Sequence, residues 1–464
     1  MQFDTKWQVL IIICMGIFMS TLDGSILNIA NPTIARDFSV TMSEVQWVIT
    51  SYMLVITSSL LFFGRMGDKI GCEKIYTRGF LVFSIGSLIC SLSNSLLFLI
   101  FARVTQAFGA SMMMATGIGI VSNTFPSQER GKALGLTGSI VGIGNMTGPS
   151  LGGVLVAHFS WPVIFLINVP IGIVGFLLAR KYLPAQPQDL VISDYDTVGI
   201  GLFALSAITM IFSLTDSNGI DAPIFMISIF LVLIFWFFEE NTRYPMLDFS
   251  LFKSNIFLQG NLMAAAVYST QMSVFFLMPF YMEKILHMSP DQFGLLMTIP
   301  PVTMAIIAPL AGTLSDKLGS TRIIPASLSL LTIAYLIFSS LGPNLNNLKI
   351  ISGLIALGIG MGMFGSPNNS SIFGALPREK AGYAGGFVST VRNLCFSMGI
   401  AFSVSIFTFI FSLNQKHLPF TTAYINANSS VYKIAALITF SALTLFLINM
   451  KIASDRDFQK DISG

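Results

Sequence analysis

The sequence is short of charged residues. Lys, Arg, Asp and Glu make up only 10% of its 464 residues, whereas 53% of the residues are hydrophobic. A soluble domain carries about 25% charged residues, so this chain lacks the side chains for a water-facing surface. Apolar runs of about twenty residues, long enough to cross a bilayer, follow one another along the chain. The composition therefore predicts an all-α polytopic membrane protein.

Cysteine and histidine are also scarce. The four Cys residues show no CxxC spacing, and His158, His287 and His417 fall in or near predicted loops. This pattern argues against a disulfide framework or a metal site. It also leaves a membrane enzyme of lipid or cell-wall synthesis without a cluster of catalytic side chains. We therefore expect no catalytic residues, no metal, no cofactor and no enzyme activity.

The apolar runs predict fourteen membrane spans, an even number that puts both termini on one side. Nineteen Lys and Arg residues then lie on the side of the termini, five lie opposite and Arg103 lies within a span, which accounts for all 25. Positive residues concentrate in cytoplasmic loops, so we expect a cell-membrane protein with both termini in the cytoplasm. The predicted spans are 7–30, 44–66, 75–95, 98–123, 131–158, 161–182, 197–216, 221–240, 255–282, 291–314, 322–341, 346–373, 381–411 and 430–451.

A charged, glycine-framed turn occurs twice. Residues 64–71 (GRMGDKIG) and 312–319 (GTLSDKLG) match at Gly, Asp, Lys and Gly, and Lys74 is answered by Arg322. The repeat predicts two related six-helix bundles, 1–182 and 255–464, separated by a connector, 183–254, with two inserted helices. Two halves around a central site are the architecture of secondary transporters.

Asp23 lies within the first predicted span. A carboxylate at membrane depth is costly unless it is paired, hydrated or protonated, and burial favours its protonated form. Such a group can take up and release a proton or contact a cationic substrate. The alternative is a structural carboxylate that caps a helix or pairs with Arg103.

Arg103 lies within the fourth span, three residues before Gln106. Arginine keeps its charge, so it requires a polar cavity or an anionic partner, and the spacing places both side chains on one helix face. The alternative is an arginine that reaches the membrane interface. With Asn28 of the first span, these residues form the predicted proton and substrate site.

Glycine recurs every four residues in the fifth span, at Gly144, Gly148 and Gly152, beside Pro149 and Gly153. Small residues at this spacing allow helices to approach closely, and proline favours a bend. The stretch indicates either a hinge or gate, or close packing alone.

The repeated turn also predicts a conformational latch on the cytoplasmic side. An Asp68–Arg130 pair, or Asp68 facing a helix N-terminus, could hold that side shut. The alternative is that these loop charges only set orientation. The predicted latch residues are Gly64, Asp68, Lys69, Gly71, Arg130, Asp316, Lys317 and Arg322.

These motifs together resemble the major facilitator superfamily, specifically its fourteen-span drug:proton antiporter branch. Residues 22–32 (LDGSILNIANP) resemble its first-span signature, residues 64–74 its loop motif, and residues 144–153 (GNMTGPSLGG) its antiporter motif. Arg103 and Gln106 match its fourth-span motif, and residues 161–172 its sixth-span opening. The resemblance implies a protonatable coupling residue at Asp23, Arg103 in the proton pathway, and export.

The chain departs from the pattern in several places. Cys72 and Glu73 replace the basic pair that ends the loop motif, and Ala107 stands where the fourth-span motif has glycine. The second half has no buried acid of the kind that exporters of dicationic drugs carry, and Glu283 is expected to be solvated near an outer loop. The resemblance therefore implies monocationic, zwitterionic or neutral apolar substrates.

Together these features predict a proton-coupled antiporter that exports amphipathic drugs or other small apolar or cationic compounds by alternating access. The alternative is a dedicated exporter or flippase for a native lipid, siderophore or metabolite, because the same fold serves both. We expect small amphipathic molecules, protons and the lipid bilayer as partners, and no nucleic acid. A chain containing both halves is expected to work as a monomer driven by the proton gradient.

Overall fold

A computed structural model describes residues 5–184, 196–214, 221–242, 251, 254–374 and 381–463. In these ranges, every helix of four residues or more is an α-helix. The all-α prediction is confirmed for this part of the chain. The described residues form two compact units. The first comprises Met1–Asp248, Met282–Thr298 and Ile400–Ser405, and the second Phe249–Tyr281, Ile299–Gly399 and Ile406–Gly464.

The first ten helices belong to the first unit. Their ends follow local signals: Thr41 and Glu44 form a capping box at the start of α2, and Asp196 accepts a hydrogen bond from the amide of Gly199 at the start of α9. The helices are α1 Thr5–Asp37, α2 Met42–Val45, α3 Trp47–Ile70, α4 Cys72–Ser91, α5 Leu96–Thr124, α6 Ser127–His158, α7 Val163–Leu166, α8 Asn168–Tyr182, α9 Thr197–Ser213 and α10 Ala222–Asn241.

The remaining helices follow after residue 254. They are α11 Asn255–Lys284, α12 Pro290–Met297, α13 Ile299–Leu318, α14 Ser320–Ser339, α15 Asn347–Gly374, α16 Ala381–Gln415 and α17 Phe420–Ser463. The C-terminal end of α11 and all of α12 belong to the first unit, whereas α13, α14, α15 and α17 belong to the second.

Eleven helices in the described residues are long and apolar enough to cross a membrane. Three predicted spans, 44–66, 75–95 and 197–216, are not among them. The span 75–95 corresponds to α4, whose first turns carry Glu73, Lys74 and Arg78, and the span 197–216 corresponds to α9, which has only 17 residues. The last span begins at Phe420 and not at 430. The polytopic protein is confirmed, whereas the count of fourteen spans stays a prediction.

The two copies of the repeated turn have the same backbone. Gly71 and Gly319 each separate two consecutive helices and have positive φ angles of 106° and 82°. In each copy the glycine amide donates to the carbonyl four residues earlier, at Gly67 and Ser315, over 2.8 Å. Glycine adopts this conformation without the steric cost that other residues incur. The repeat therefore reflects a shared local structure.

A core of buried side chains joins α1, α4 and α5 within the first unit. Tyr76 is fully buried, and its hydroxyl donates to the carbonyl of Ile13 over 3.0 Å. Its ring meets Phe80 edge-on at 5.3 Å between ring centroids. This contact fixes α1 against α4 and leaves the next turns of α1, around Asp23, facing α5.

Candidate functional site

Asp23 is the acceptor at the centre of a buried polar cluster. Its side chain is 0% exposed. Oδ2 accepts from Nη1 of Arg103 over 2.5 Å, and Oδ1 accepts from Nε2 of Gln106 over 2.8 Å and from Nδ2 of Asn168 over 3.0 Å. Three donors on two helices, α5 and α8, thus converge on one carboxylate.

Arg103 is equally enclosed, with 0% of its side chain exposed. Besides Asp23, it donates from Nη1 to Oε1 of Gln106 over 2.5 Å and from Nε to the carbonyl of Val48 over 3.1 Å. Its guanidinium lies over the ring of Tyr52, 3.9 Å from the centroid, where the negative face of the ring attracts a cation. The charge is therefore compensated within the protein.

Close helix packing brings these side chains together. A Cβ atom at Gly86 of α4 would lie 2.6 Å from the backbone of Gln106, so glycine there lets α4 approach α5. Ser87, the next residue, accepts from Nε2 of Gln106 over 2.8 Å. Asn168 is the first residue of α8, after the break that separates α8 from α7. We call Asp23, Ser87, Arg103, Gln106 and Asn168 the Asp23 cluster.

Three buried atoms of this region have no hydrogen-bond partner among the described residues. They are Nη2 of Arg103, Oδ1 of Asn168 and the hydroxyl of Tyr52. A buried polar group without a partner costs free energy, and native proteins satisfy most such groups. The cluster therefore holds unused donors and acceptors that can form bonds when its pairing changes.

The sequence left two interpretations open for Asp23 and for Arg103. The pairing of Asp23 with Arg103 was the structural alternative, and the geometry shows that pair. The alternative that Arg103 reaches the membrane interface is wrong, because its side chain is fully buried. Gln106 shares its helix face, as predicted. Asn28 does not join the cluster: its Nδ2 donates to the carbonyl of Gly24, 3.5 Å away on the same helix.

Sequence reasoning missed Ser87, Asn168 and Tyr52 as parts of the site. Each is a neutral residue in a long apolar run, a common occurrence that does not single it out. Asn168 carried the best signal, because a fully buried amide between apolar residues of a span requires a polar partner. That partner, Asp23, lies 145 positions away in the sequence.

The glycines of α6 form the contact with α1. A Cβ at Gly144 would meet Oγ1 of Thr21, one at Gly148 would meet Oγ of Ser25, and one at Gly152 would lie 2.7 Å from Cγ1 of Ile26. Ser25 also donates to the carbonyl of Gly144 over 3.1 Å. Close packing is therefore part of their role, and the hinge or gate stays a prediction.

Gly153, on another side of α6, contacts α12 of the same unit. A Cβ at Gly153 would lie 2.6 Å from the carbonyl oxygen of Pro290, and one at Gly294 would lie 2.5 Å from the carbonyl oxygen of Pro149. The two glycines thus let α6 and α12 meet backbone to backbone. Pro149 lies within the continuous helix α6.

The predicted latch can be placed only in part. The side chains of Asp68, Arg130 and Asp316 lie outside the described residues. Gly64 is helical with open space where a Cβ would stand. Lys69, Lys317 and Arg322 are exposed, beside the two turn glycines. The latch stays a prediction.

Glu283 differs from its expectation. Its side chain is only 17% exposed, and Oε1 accepts from Nη1 of Arg36 over 2.7 Å. The end of α1 is thereby tied to the end of α11 within the first unit. Glu283 is paired and largely covered, whereas a solvated side chain was expected.

Comparison with known proteins links the chain to one family of transporters. The family profile described as Major Facilitator Superfamily matches residues 13–400. The chain is 46% identical to the riboflavin transporter RibZ of Clostridioides difficile (strain 630), over 96% of the chain and 98% of that relative. It is 28% identical to the multidrug resistance protein Stp of Mycobacterium tuberculosis (strain CDC 1551 / Oshkosh), over 86% of the chain and 75% of that relative.

A solved structure shows the same fold at low sequence identity. It is the crystal structure of a bacterial homolog of the human lysosomal transporter Spinster, which matches with a TM-score of 0.68 and 15% identity over 99% of both chains. At this identity the likeness concerns the fold alone. The predicted all-α membrane fold is confirmed by it.

Proposed function

The chain belongs to the major facilitator superfamily, and we propose that it is a secondary transporter of riboflavin or a closely related metabolite. It is a multi-pass membrane transporter and not an enzyme. The observation that supports the substrate is the 46% identity to a riboflavin transporter along nearly the whole of both chains. The similarity to the drug exporter is weaker, 28%. A metabolite substrate was the alternative in the sequence interpretation, and it is now the better supported one.

We propose that transport is coupled to protons through the Asp23 cluster. A proton on Asp23 removes its charge, and Arg103 then loses the anion that compensates it. Burying an uncompensated charge costs several kcal/mol, so Arg103 must find another acceptor or the surrounding helices must rearrange. Proton binding thereby acts on α1 and α5 at once, since these helices carry the two partners.

The enclosure of Asp23 favours a proton over a substrate as its ligand. Both partners of the pair are 0% exposed, and the carboxylate already accepts three hydrogen bonds. A molecule the size of riboflavin has no free oxygen of Asp23 to bind in this arrangement. We infer that the proton and the substrate bind at different places and do not compete for the carboxylate of Asp23.

Transport assays in membrane vesicles test the substrate. Radiolabelled riboflavin is added to right-side-out and to everted vesicles that contain the chain. Its uptake is measured with and without an imposed pH gradient. We expect gradient-dependent movement, and the vesicle orientation that accumulates riboflavin gives the direction. Vesicles without the chain are the control. Equal riboflavin movement in vesicles with and without the chain would refute the proposed substrate.

A drug exporter is the second candidate. Two observations favour it: the glycine-rich stretch of α6, which resembles the antiporter motif, and the relation to Stp. The same everted vesicles can be tested with a monocationic dye such as ethidium. Dye accumulation that exceeds riboflavin accumulation would favour this candidate.

The membrane arrangement completes the proposal. We propose fourteen spans, both termini in the cytoplasm of the cell membrane and a functional monomer, with residues 1–182 and 255–464 as two bundles that alternate access. Cysteine labelling checks the orientation: a thiol introduced in residues 241–254, the last part of the connector, should react with an impermeant reagent only in everted vesicles. Reaction in intact cells would contradict the proposed topology.

A further inference from the structure

Three aromatic rings meet in the second unit. Tyr268 of α11 contacts Phe364 of α15 edge-on, with 6.2 Å between ring centroids, and Phe396 of α16, with 5.5 Å. Phe364 is fully buried, whereas Tyr268 and Phe396 are each half-buried. We call these three residues the Tyr268 box.

Side-chain amides lie on the same three helices as the box, α11, α15 and α16. Nδ2 of Asn368 donates to the carbonyl of Gly260 over 3.1 Å, which brings the start of α11 level with the end of α15. Four amides of these helices each have a buried atom without a hydrogen-bond partner among the described residues. These atoms are Nε2 of Gln259, Oδ1 of Asn261, Oδ1 of Asn369 and Nδ2 of Asn393.

Unused donors and acceptors of this kind are available to a ligand. A buried amide atom without a partner costs free energy, and Asn261 is only 6% exposed. The four atoms comprise two donors and two acceptors, and all four groups are neutral. Asn393 lies three residues before Phe396 and therefore on the same face of α16.

A charged side chain lies near Tyr268 of the box. Arg392 is half-buried and lies close enough to Tyr268 to interact with it electrostatically. Charged and amide groups in membrane helices face cavities or the protein interior. Apolar and aromatic walls with a few convergent polar groups are typical of small-molecule sites.

We propose that the Tyr268 box and amides of the same three helices bind the ring system of the substrate, a planar neutral aromatic heterocycle with a hydrogen-bonding edge. The aromatic side chains pack against the ring, and the amides pair with its N–H and C=O groups. This inference rests on the proposed function, because riboflavin carries such a ring. It also separates the substrate site from the proton site, since no member of the Asp23 cluster belongs to it.

Binding to the purified full-length chain tests the aromatic part. Riboflavin is the probe, and the loss of its fluorescence on stacking reports binding. Tyr268→Leu should raise the Kd about tenfold, because stacking on one aromatic side chain contributes about 1–3 kcal/mol. Tyr268→Phe keeps the ring and should restore binding to near the wild-type Kd. Phe409→Leu, an exposed position of α16, is the matched control and should leave the Kd unchanged.

A modified flavin tests the amides. Riboflavin methylated at its ring-edge N–H cannot donate there, so the wild-type chain should bind it about fivefold more weakly than riboflavin, the loss of about one hydrogen bond. Asn369→Ala removes an acceptor and should reduce this difference, whereas Asn426→Ala, at an exposed position of α17, should preserve it.

The possible failures differ. A wild-type chain that binds no flavin overturns the proposed function and the inference with it. A wild-type chain that binds riboflavin, with an unchanged Kd in Tyr268→Leu and an unchanged preference in Asn369→Ala, overturns only the inference. A higher Kd in Tyr268→Leu that Tyr268→Phe does not restore also contradicts it, because the ring would then not be the contributing group.

Discussion

Nη1 of Arg103 lies 2.5 Å from Oδ2 of Asp23, and neither side chain has any exposed surface. The pair joins α5 to α1 across 80 positions of sequence. A buried ion pair gives little net stability over an apolar pair of similar size, but the loss of one partner costs about 3–5 kcal/mol. The two residues are therefore strongly coupled, which is what a proton-sensitive switch requires.

Asp23→Asn should abolish accumulation of riboflavin driven by a pH gradient, because asparagine cannot exchange a proton. Exchange of labelled for unlabelled riboflavin at equal pH needs no net proton movement and should persist. Comparing the two assays in the same proteoliposomes separates coupling from substrate binding. Asp37→Asn, an exposed carboxylate at the end of the same helix, is the control and should retain both activities. Gradient-driven accumulation by Asp23→Asn would rule out Asp23 as the coupling residue.

Folding of this variant needs its own check, because Asp23→Asn leaves Arg103 without its anion. We expect the thermal midpoint in detergent to fall. The double variant Asp23→Asn/Arg103→Gln removes both charges and should recover much of that loss, a non-additive result expected for residues in contact. Additive losses would mean that the pair does not couple the two helices.

Asn168→Ala should destabilise the protein by about 1–3 kcal/mol, because it removes one of the three hydrogen bonds to the carboxylate of Asp23 and leaves a cavity. Asn28→Ala is the matched control. Its amide bonds only weakly, over 3.5 Å, to its own helix, so the variant should lose less free energy of unfolding than Asn168→Ala does. Thermal unfolding in detergent measures both, and equal losses would mean that Asn168 has no special place in the cluster.

The charged members of this cluster and Gln106 could be predicted from sequence, whereas Ser87 and Asn168 could not. Asp23 and Arg103 stand out because an ionised group in an apolar span is costly and needs an explanation. Ser87 and Asn168 carry no such signal, since their position depends on how closely α4, α5 and α8 pack. That packing depends on Gly86 and on the helix break before Asn168. Neither feature shows, from the sequence alone, which residue Ser87 or Asn168 will contact.

The fold followed more directly from the sequence. Apolar runs mark helices because backbone groups in a bilayer must be satisfied within the helix, and most predicted spans correspond to a helix. The ends of the helices were less predictable. Helix α17 begins at Phe420 and not at 430, because residues 420–429 are helical although they are more polar than the rest of the span. The substrate could not be predicted, because none of the sequence motifs specifies a substrate.

Gly148→Ala should impair folding or transport, whereas Gly142→Ala should not. A Cβ at Gly148 would meet the side chain of Ser25 and lie 2.9 Å from the amide nitrogen of Ile26, so α1 would have to move. A Cβ at Gly142 would have no atom within 4 Å, and alanine favours a helix over glycine by about 1 kcal/mol. The yield of monodisperse protein and its thermal midpoint measure the first effect, and riboflavin exchange measures the second. Similar behaviour of the two variants would contradict the close contact between α6 and α1.

The two turn glycines allow a comparison within one molecule. Both have positive φ angles, which cost a residue with a side chain about 1–2 kcal/mol. A Cβ at Gly71 would also lie 2.6 Å from the carboxylate of Glu73, whereas one at Gly319 would meet only Oγ1 of Thr321 at 3.4 Å. Gly319→Ala should therefore lower the free energy of unfolding by about 1–2 kcal/mol, and Gly71→Ala should lower it further.

Gly64→Ala is the control for both variants, because Gly64 is helical and has open space around it. It should be neutral or slightly stabilising. Thermal midpoints of the three variants, measured in one detergent, should rank Gly64→Ala highest and Gly71→Ala lowest. If Gly319→Ala matches Gly64→Ala, the backbone of the second turn relaxes without strain and the two copies are not equivalent. The expected ranking would instead show that a helix–glycine–helix turn limits the residues allowed in both halves of the transporter.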